Sequence, residues 1–217
     1  MLEIGNRKIK RILIVDDDPE ARDSHEYLIE DMDLTPYKIE DIHNGNLQNF
    51  FASIEPNDAI LCDFHLKKHS YAPCNGDWIV SQCFHKHIPS VLCTSIDEPR
   101  IRRDYLRYIP GLLRKGNPDS DELRHALKKC EEELAGEPRP SRRPWRTLVR
   151  VDHVDDERKC IYVVVPAWDI RIKVRIDFDN LPENIRKLAK PDHRFHARVN
   201  TGATDSSDLF FYKWEEK

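Results

Sequence analysis

Residues 11–19 read RILIVDDDP: a short apolar strand runs without a break into three aspartates and a proline. The same junction recurs at 59–63, AILCD, where the apolar run ends on Asp63. Two more apolar runs end on polar groups, 90–93 on Thr94-Ser95 and 111–114 on Lys115. These runs are continuous rather than alternating, as in strands covered on both faces. With a further run at 37–42, five strand-like segments alternate with helix-like ones near 19–31, 46–54, 76–87, 98–108 and 119–135. That alternation predicts an α/β unit, a doubly wound parallel sheet of five strands with helices on both faces. Asp18 before Pro19 is also a good helix N-cap.

In such a sheet the carboxyl ends of the strands form the ligand crevice, so Asp16, Asp17 and Asp63 are expected to converge there. Like charges so crowded repel and raise each other's pKa unless a cation joins them. Hard carboxylate oxygens suit Mg²⁺, which keeps several waters. The Thr94 hydroxyl and the Lys115 ammonium at neighbouring strand ends are groups that phosphoryl transfer uses to neutralise the transferring oxygens. Cys62 precedes Asp63, but alternation along a strand turns its thiol the other way, into the core.

The order Asp-Asp, Asp, Thr, Lys at the ends of strands one, three, four and five resembles the receiver domain of two-component response regulators, over about residues 10–135. The resemblance implies a flavodoxin-like fold. It makes Asp63 the nucleophile that takes a phosphoryl group from a phosphohistidine. Asp17 and Asp63 become direct Mg²⁺ ligands, Asp16 a ligand through water, and His65 a ligand through its backbone carbonyl. Thr94 and Lys115 would bind the phosphoryl oxygens. The implied partner is a histidine kinase or phosphotransfer protein, and the chain would be no enzyme beyond its own phosphorylation and dephosphorylation.

Three features depart from that pattern. Gly76 stands thirteen residues after Asp63, which makes the intervening loop about five residues longer than usual, with Lys67 where a proline is common. Gly116 replaces the proline after the lysine, and Leu112 replaces a switching aromatic. Any switch is then expected to run through Thr94 and 95–99 into a helix carrying Arg100, Arg102, Arg103 and Arg107, a basic surface for an acidic partner or for a second copy in a homodimer. His65, His69 and Cys74 share the long loop without a zinc spacing, and read as ordinary loop residues.

The second half differs. Gly136 and EPRPSRRP mark a semi-extended linker, 136–144, after a first domain of 1–135. From 145 to 217 the period is two. Ile170, Ile172, Val174, Ile176 and Phe178 share one face, and Arg171, Lys173 and Arg175 the other. Phe195, Ala197 and Val199 alternate with Arg194, His196 and Arg198. Runs at 145–152, 160–165 and 209–214 complete about five strands of a small antiparallel β-barrel or sandwich, with one short helix at 182–189. Arg146 and Arg150 add to the basic positions, and Trp145 and Trp168 lie near. Nucleic acid is therefore a candidate partner, less favoured than a protein because acidic residues dilute the face. The alternative to an output module is a phosphate sink or intermediate carrier in a phosphorelay, an arrangement that loosely resembles some phage-defence relays.

Composition narrows the class. Of 217 residues 39% are apolar and 34% charged, and no run approaches the roughly 18 apolar residues of a spanning helix. The net charge of −4 divides unevenly: residues 1–140 hold 19 basic against 26 acidic residues, and 141–217 hold 16 against 13. Such asymmetry suggests two modules with different partners. The N-terminal residues do not read as a signal peptide. Six scattered cysteines without a CxxC pair then fit a reducing, cytoplasmic setting.

Overall fold

The computed structural model describes residues 1–5, 7–42, 47–66, 71–94, 101–113 and 118–216. It divides into two compact units, Met1–Ile101 with Tyr108–Glu137, and Arg102–Arg107 with Pro138–Lys217.

The first unit opens with a hairpin that the sequence patterning did not reveal, β1 (Leu2–Ile4) and β2 (Arg7–Ile9), paired antiparallel. Leu2, Ile4 and Ile9 are buried in one cluster with Ile29, Met32 and Leu127. Five parallel strands follow: β3 (Arg11–Val15), β4 (Thr35–Lys38), β5 (Asp58–Asp63), β6 (Ser90–Cys93) and β7 (Gly111–Leu113). Their order, β4-β3-β5-β6-β7, is that of a flavodoxin-like doubly wound sheet. The chain leaves β3 for β4 on one side and resumes at β5 on the other. The crevice of this topology therefore opens between the carboxyl ends of β3 and β5.

Local chemistry explains the helices. In α1 (Pro19–Glu30) the Asp18 side chain accepts from the Glu20 N–H at 3.0 Å, and Pro19 occupies the first turn, where its missing donor costs nothing. The helix α5 (Ser120–Leu134) starts with a capping box between Asp119 and Glu122, and buries Leu123, Ala126, Leu127 and Cys130 on one face. Between them lie α2 (Leu47–Ala52) and α3 (Gly76–His85).

Two first-unit expectations need correction. The strand expected over 37–42 lies at Thr35–Lys38. Pro36 is tolerated there because β4 is an edge strand, and the Ile42 N–H leaves the sheet for the Tyr71 carbonyl. The helix expected over 98–108 is one turn, α4 (Arg103–Leu106), while 98–100 fall outside the described residues. This turn folds with the second unit, because the half-buried Arg103 is anchored there. It donates to the carbonyls of Arg175 at 2.9 Å, Ser206 at 2.9 Å and Leu209 at 2.7 Å. Arg102 pairs with Asp104 at 2.9 Å, and Arg107 stacks over Tyr212 at 3.7 Å. The basic surface expected of Arg102, Arg103 and Arg107 is thus taken up by internal contacts.

The second unit is one antiparallel sheet with the order β10-β9-β8-β11-β12. Its strands are β8 (Trp145–Asp155), β9 (Cys160–Val165), β10 (Asp169–Asp177), β11 (Arg194–Val199) and β12 (Phe211–Glu216), with α6 (Glu183–Leu188) before β11. One face buries Val149, Val163, Ile176, Phe195 and Val199. Residues 138–144 are folded rather than semi-extended. Pro140–Arg142 form a 3-10 turn, and Asn200 donates to the Ser141 carbonyl at 3.1 Å. A Cβ on Gly202 would stand 2.5 Å from the Pro140 carbonyl.

The alternation expected of β10 holds for only half the strand. Val174 and Ile176 are buried, but Ile170 is 68% and Ile172 41% exposed. The register shows why. Asp169 pairs with Val165 and Val174 with Val163, so four residues of β10 stand opposite one of β9, and the excess bulges off the sheet.

Candidate functional site

Asp16 follows β3 and is buried. Its Oδ1 accepts from the Asp18 N–H at 2.9 Å, and its carbonyl accepts from Arg22 Nη1 at 2.7 Å. The His25 ring lies close, with Nε2 3.8 Å from Oδ2. Asp63 ends β5, and its Oδ2 accepts from the His65 N–H at 2.7 Å. Asp17 completes the group: Asp16, Asp17 and Asp63 each offer an oxygen, all within 4.8 Å of one another. They form the one metal-competent group of three or more side chains among the described residues.

Electrostatics suit this crevice to a cation. Burial, reinforced by Asp63, Asp17 and Asp18, pushes Asp16 up to about 7 against the bond from the Asp18 N–H. Burial also raises Asp63, partly offset by the N–H groups of His65 and Phe64. Asp17 Oδ2 is buried with no hydrogen-bond partner. An orphaned carboxylate oxygen beside two raised carboxylates fits a hard divalent ion of the Mg²⁺ type.

Thr94 follows β6, buried, with its N–H on the Leu113 carbonyl at 3.0 Å. It stands on the strand next to β5, and the Phe64 N–H donates to the Cys93 carbonyl at 3.0 Å. Ser95, Lys67, His69, Lys115 and Gly116 lie outside the described residues. Leu112 sits on β7 opposite Leu92, where an aliphatic side chain packs but has no polar end to swing. The Cys62 thiol is buried, and burial pushes it well above the usual thiol range.

Three contributors go beyond the acidic motif, and Gly76 alone of them was marked in the sequence, as the end of the long loop. Gly76 opens α3 against the acceptor strand, where a Cβ would fall 1.9 Å from the Asp63 carbonyl oxygen. Its N–H closes the loop on the Phe64 carbonyl at 2.9 Å. Tyr71 and Arg22 are the other two. The described ends of the long loop are packed inward: Phe64, Leu66, Tyr71 and Ala72 are buried. Tyr71 donates to the Ile39 carbonyl at 2.8 Å, and the Arg22 guanidinium lies over its ring at 5.8 Å. A buried cation and a phenol thus brace the backbone of Asp16. Arg22 looked like one more charged helix residue, and nothing local announces that residue 71 returns to β4.

Comparisons follow from this geometry. No family model matches the chain, and none of the curated proteins matches it. Among solved structures, it is similar to the response regulator TrrA from Thermotoga maritima in complex with Mg²⁺ and BeF. That match has 23% identity, covers 56% of this chain and 99% of that one, and has a TM-score of 0.43. A receiver domain from Clostridium thermocellum aligns at 16% identity over 58% of this chain and 98% of its own, with a TM-score of 0.44. A CheY-like receiver domain from Methylobacillus flagellatus aligns at 17% identity over 57% and 99%, with the same TM-score of 0.44.

Proposed function

We propose that this protein is a response regulator whose Asp63 accepts a phosphoryl group from a phosphohistidine, on a histidine kinase or a phosphotransfer protein, in a Mg²⁺-dependent reaction. The observation that carries the reading is the triad Asp16, Asp17 and Asp63 at the crevice of a doubly wound sheet, with a buried, unpartnered oxygen on Asp17.

Asp16, Asp17 and Asp63 would hold the ion, with the His65 carbonyl as a further ligand. The ion supplies positive charge against the phosphoryl oxygens and leaves the carboxylates ionised. Asp63 attacks phosphorus as the carboxylate; the P–O bond forms as the P–N bond to the donor histidine breaks, and the electron pair returns to that nitrogen, so the ring leaves as neutral imidazole keeping the proton its other nitrogen already carried. The His65 N–H holds the attacking carboxylate in place at 2.7 Å. Thr94 donates its hydroxyl to a phosphoryl oxygen, and Lys115 pairs with another. Such transfer has a loose transition state, so positioning and charge neutralisation supply most of the rate. Among the described residues, no helix is long and apolar enough to cross a membrane.

The test is labelling of the intact chain by a small phosphodonor. Label should depend on Mg²⁺ and be lost in Asp63→Asn. Label that survives that substitution, or appears equally in EDTA, rejects the assignment.

A further inference from the structure

The cations of the second unit differ in their surroundings. Of those expected to form a basic platform on the strands, five are neutralised inside the unit, while Arg194 and Arg198 are exposed on β11 without an ion-pair partner among the described residues. Arg171 pairs with Asp169 at 3.0 Å, Lys173 with Asp152 at 2.8 Å, Arg175 with Asp177 at 2.7 Å, Arg146 with Glu215 at 2.9 Å and Arg150 with Asp192 at 2.9 Å. Lys159, Arg186 and Lys190 are different. All three are exposed, none has an ion-pair partner among the described residues, and all three line one groove of about 580 Å³. Lys187, paired with Glu183 at 2.7 Å, adds to the same rim, and Asp156 is its one carboxylate.

The groove also holds one aromatic side chain. Phe178 lines it, half-buried against the core of the sheet. The Phe178 N–H donates to the Lys159 carbonyl at 2.8 Å, so the aromatic and one of the cations are tied together through the backbone. Lys159 ends the β8–β9 turn at a φ of 52°, a left-handed conformation that glycine or asparagine adopts more easily. Three uncompensated cations around one concavity repel one another, and an anion seated between them removes that repulsion while gaining charge-assisted hydrogen bonds. An aromatic beside them adds a stacking surface that accepts any base.

We propose that this groove binds nucleotide phosphate, with the phosphate on Lys159, Arg186 and Lys190 and the base against Phe178. The shared chemistry is a phosphate joined to a base, carried by a free nucleotide or by a unit of single-stranded nucleic acid. This site lies wholly in the second unit and is independent of the chemistry at Asp63.

The experiment is equilibrium binding by the full-length chain, read by fluorescence anisotropy. The probes are labelled ATP and a labelled single-stranded oligoribonucleotide, with polyglutamate as an unlabelled competitor. One or both probes should bind at low salt, and the tighter one identifies the source. On a strand, affinity should fall with salt at a log–log slope of about −0.7 for each phosphate neutralised. Lys159→Gln with Arg186→Gln should weaken binding at least about tenfold and flatten that slope. Arg150→Gln, a paired cation outside the groove, should leave it unchanged. Phe178→Leu should weaken both probes but not inorganic pyrophosphate. The proposal is overturned if neither probe binds, if the double variant binds like the parent, or if polyglutamate displaces the probes at equal charge concentration.

Discussion

Asp16, Asp17 and Asp63 impose opposite demands on the protein with and without a cation. The folded value of Asp16, about 7, stands above its ordinary 3.8. Between those values the folded chain holds a proton that the unfolded chain releases, so folding stability without metal falls as pH rises from about 4 to about 7. His25, lowered by burial, works in the opposite sense below its ordinary 6.5. The difference between the parent and Asp16→Asn isolates the carboxylate. In denaturant titrations with EDTA, the parent should lose stability relative to the variant as pH rises through that window, and Mg²⁺ should cancel the loss. A difference that grows with falling pH would contradict the assignment. Asp17→Asn removes one of three like charges from a side chain whose Oδ2 has no partner to lose. Calorimetric titration should then show Mg²⁺ affinity down at least about tenfold, while the metal-free melting temperature holds or rises. A sharp drop in that melting temperature would make Asp17 a structural cap. The aspartates were legible because apolar runs that stop on carboxylates fix where a strand ends and what it presents. Arg22 and Tyr71 were not, because their roles depend on a loop folding back on β4, and no periodicity encodes that return.

Elements carry the next level of constraint. The start of α3 sits directly on the end of β5, and only a residue without a side chain fits there. Gly76→Ala must push backbone against backbone, which places it at the upper end of overpacking costs, about 3 kcal/mol. Because the displaced group is the Asp63 carbonyl, labelling of Asp63 should slow by more than the loss of folded protein explains. Measuring the initial labelling rate against the folded fraction separates the two, and a rate that merely tracks the folded fraction would show that the contact is not coupled to the site. The parallel strands were legible as apolar runs, and α5 as a capped amphipathic helix. The hairpin of β1 and β2 was not, since three-residue strands are too short for a period to show. In β10 the period was present but misled, because a bulge detaches 170–173 from the ladder while the alternation continues in the sequence.

Over the whole molecule, charge distinguishes an acidic first part from a mildly basic second one and periodicity an α/β part from a β-rich one, and the chain is not divided at a single point. The short turn Arg102–Arg107 belongs with residues 138–217. Arg103 explains it: burial pulls its guanidinium down to about 10, and it donates to three separate carbonyls. A sequence reading assigns an arginine-rich helix to solvent, whereas three backbone carbonyls converging on one guanidinium make burial of the cation favourable. Arg103→Leu leaves those acceptors without this donor and should cost about 3 kcal/mol or more. Tryptophan fluorescence reads the loss, since Trp145, Trp168 and Trp214 lie in the second unit and only Trp78 in the first. An unchanged unfolding midpoint would mean the turn is not held there in solution. The central claim is that one carboxylate of this molecule carries a phosphoryl group, and borohydride trapping tests it most directly. After incubation with phosphodonor and Mg²⁺, reduction of an acyl phosphate turns the aspartate into homoserine, which mass spectrometry locates by residue. The account predicts homoserine at position 63 alone, absent when Mg²⁺ is withheld; homoserine elsewhere, or phosphate retained on a histidine, would contradict it.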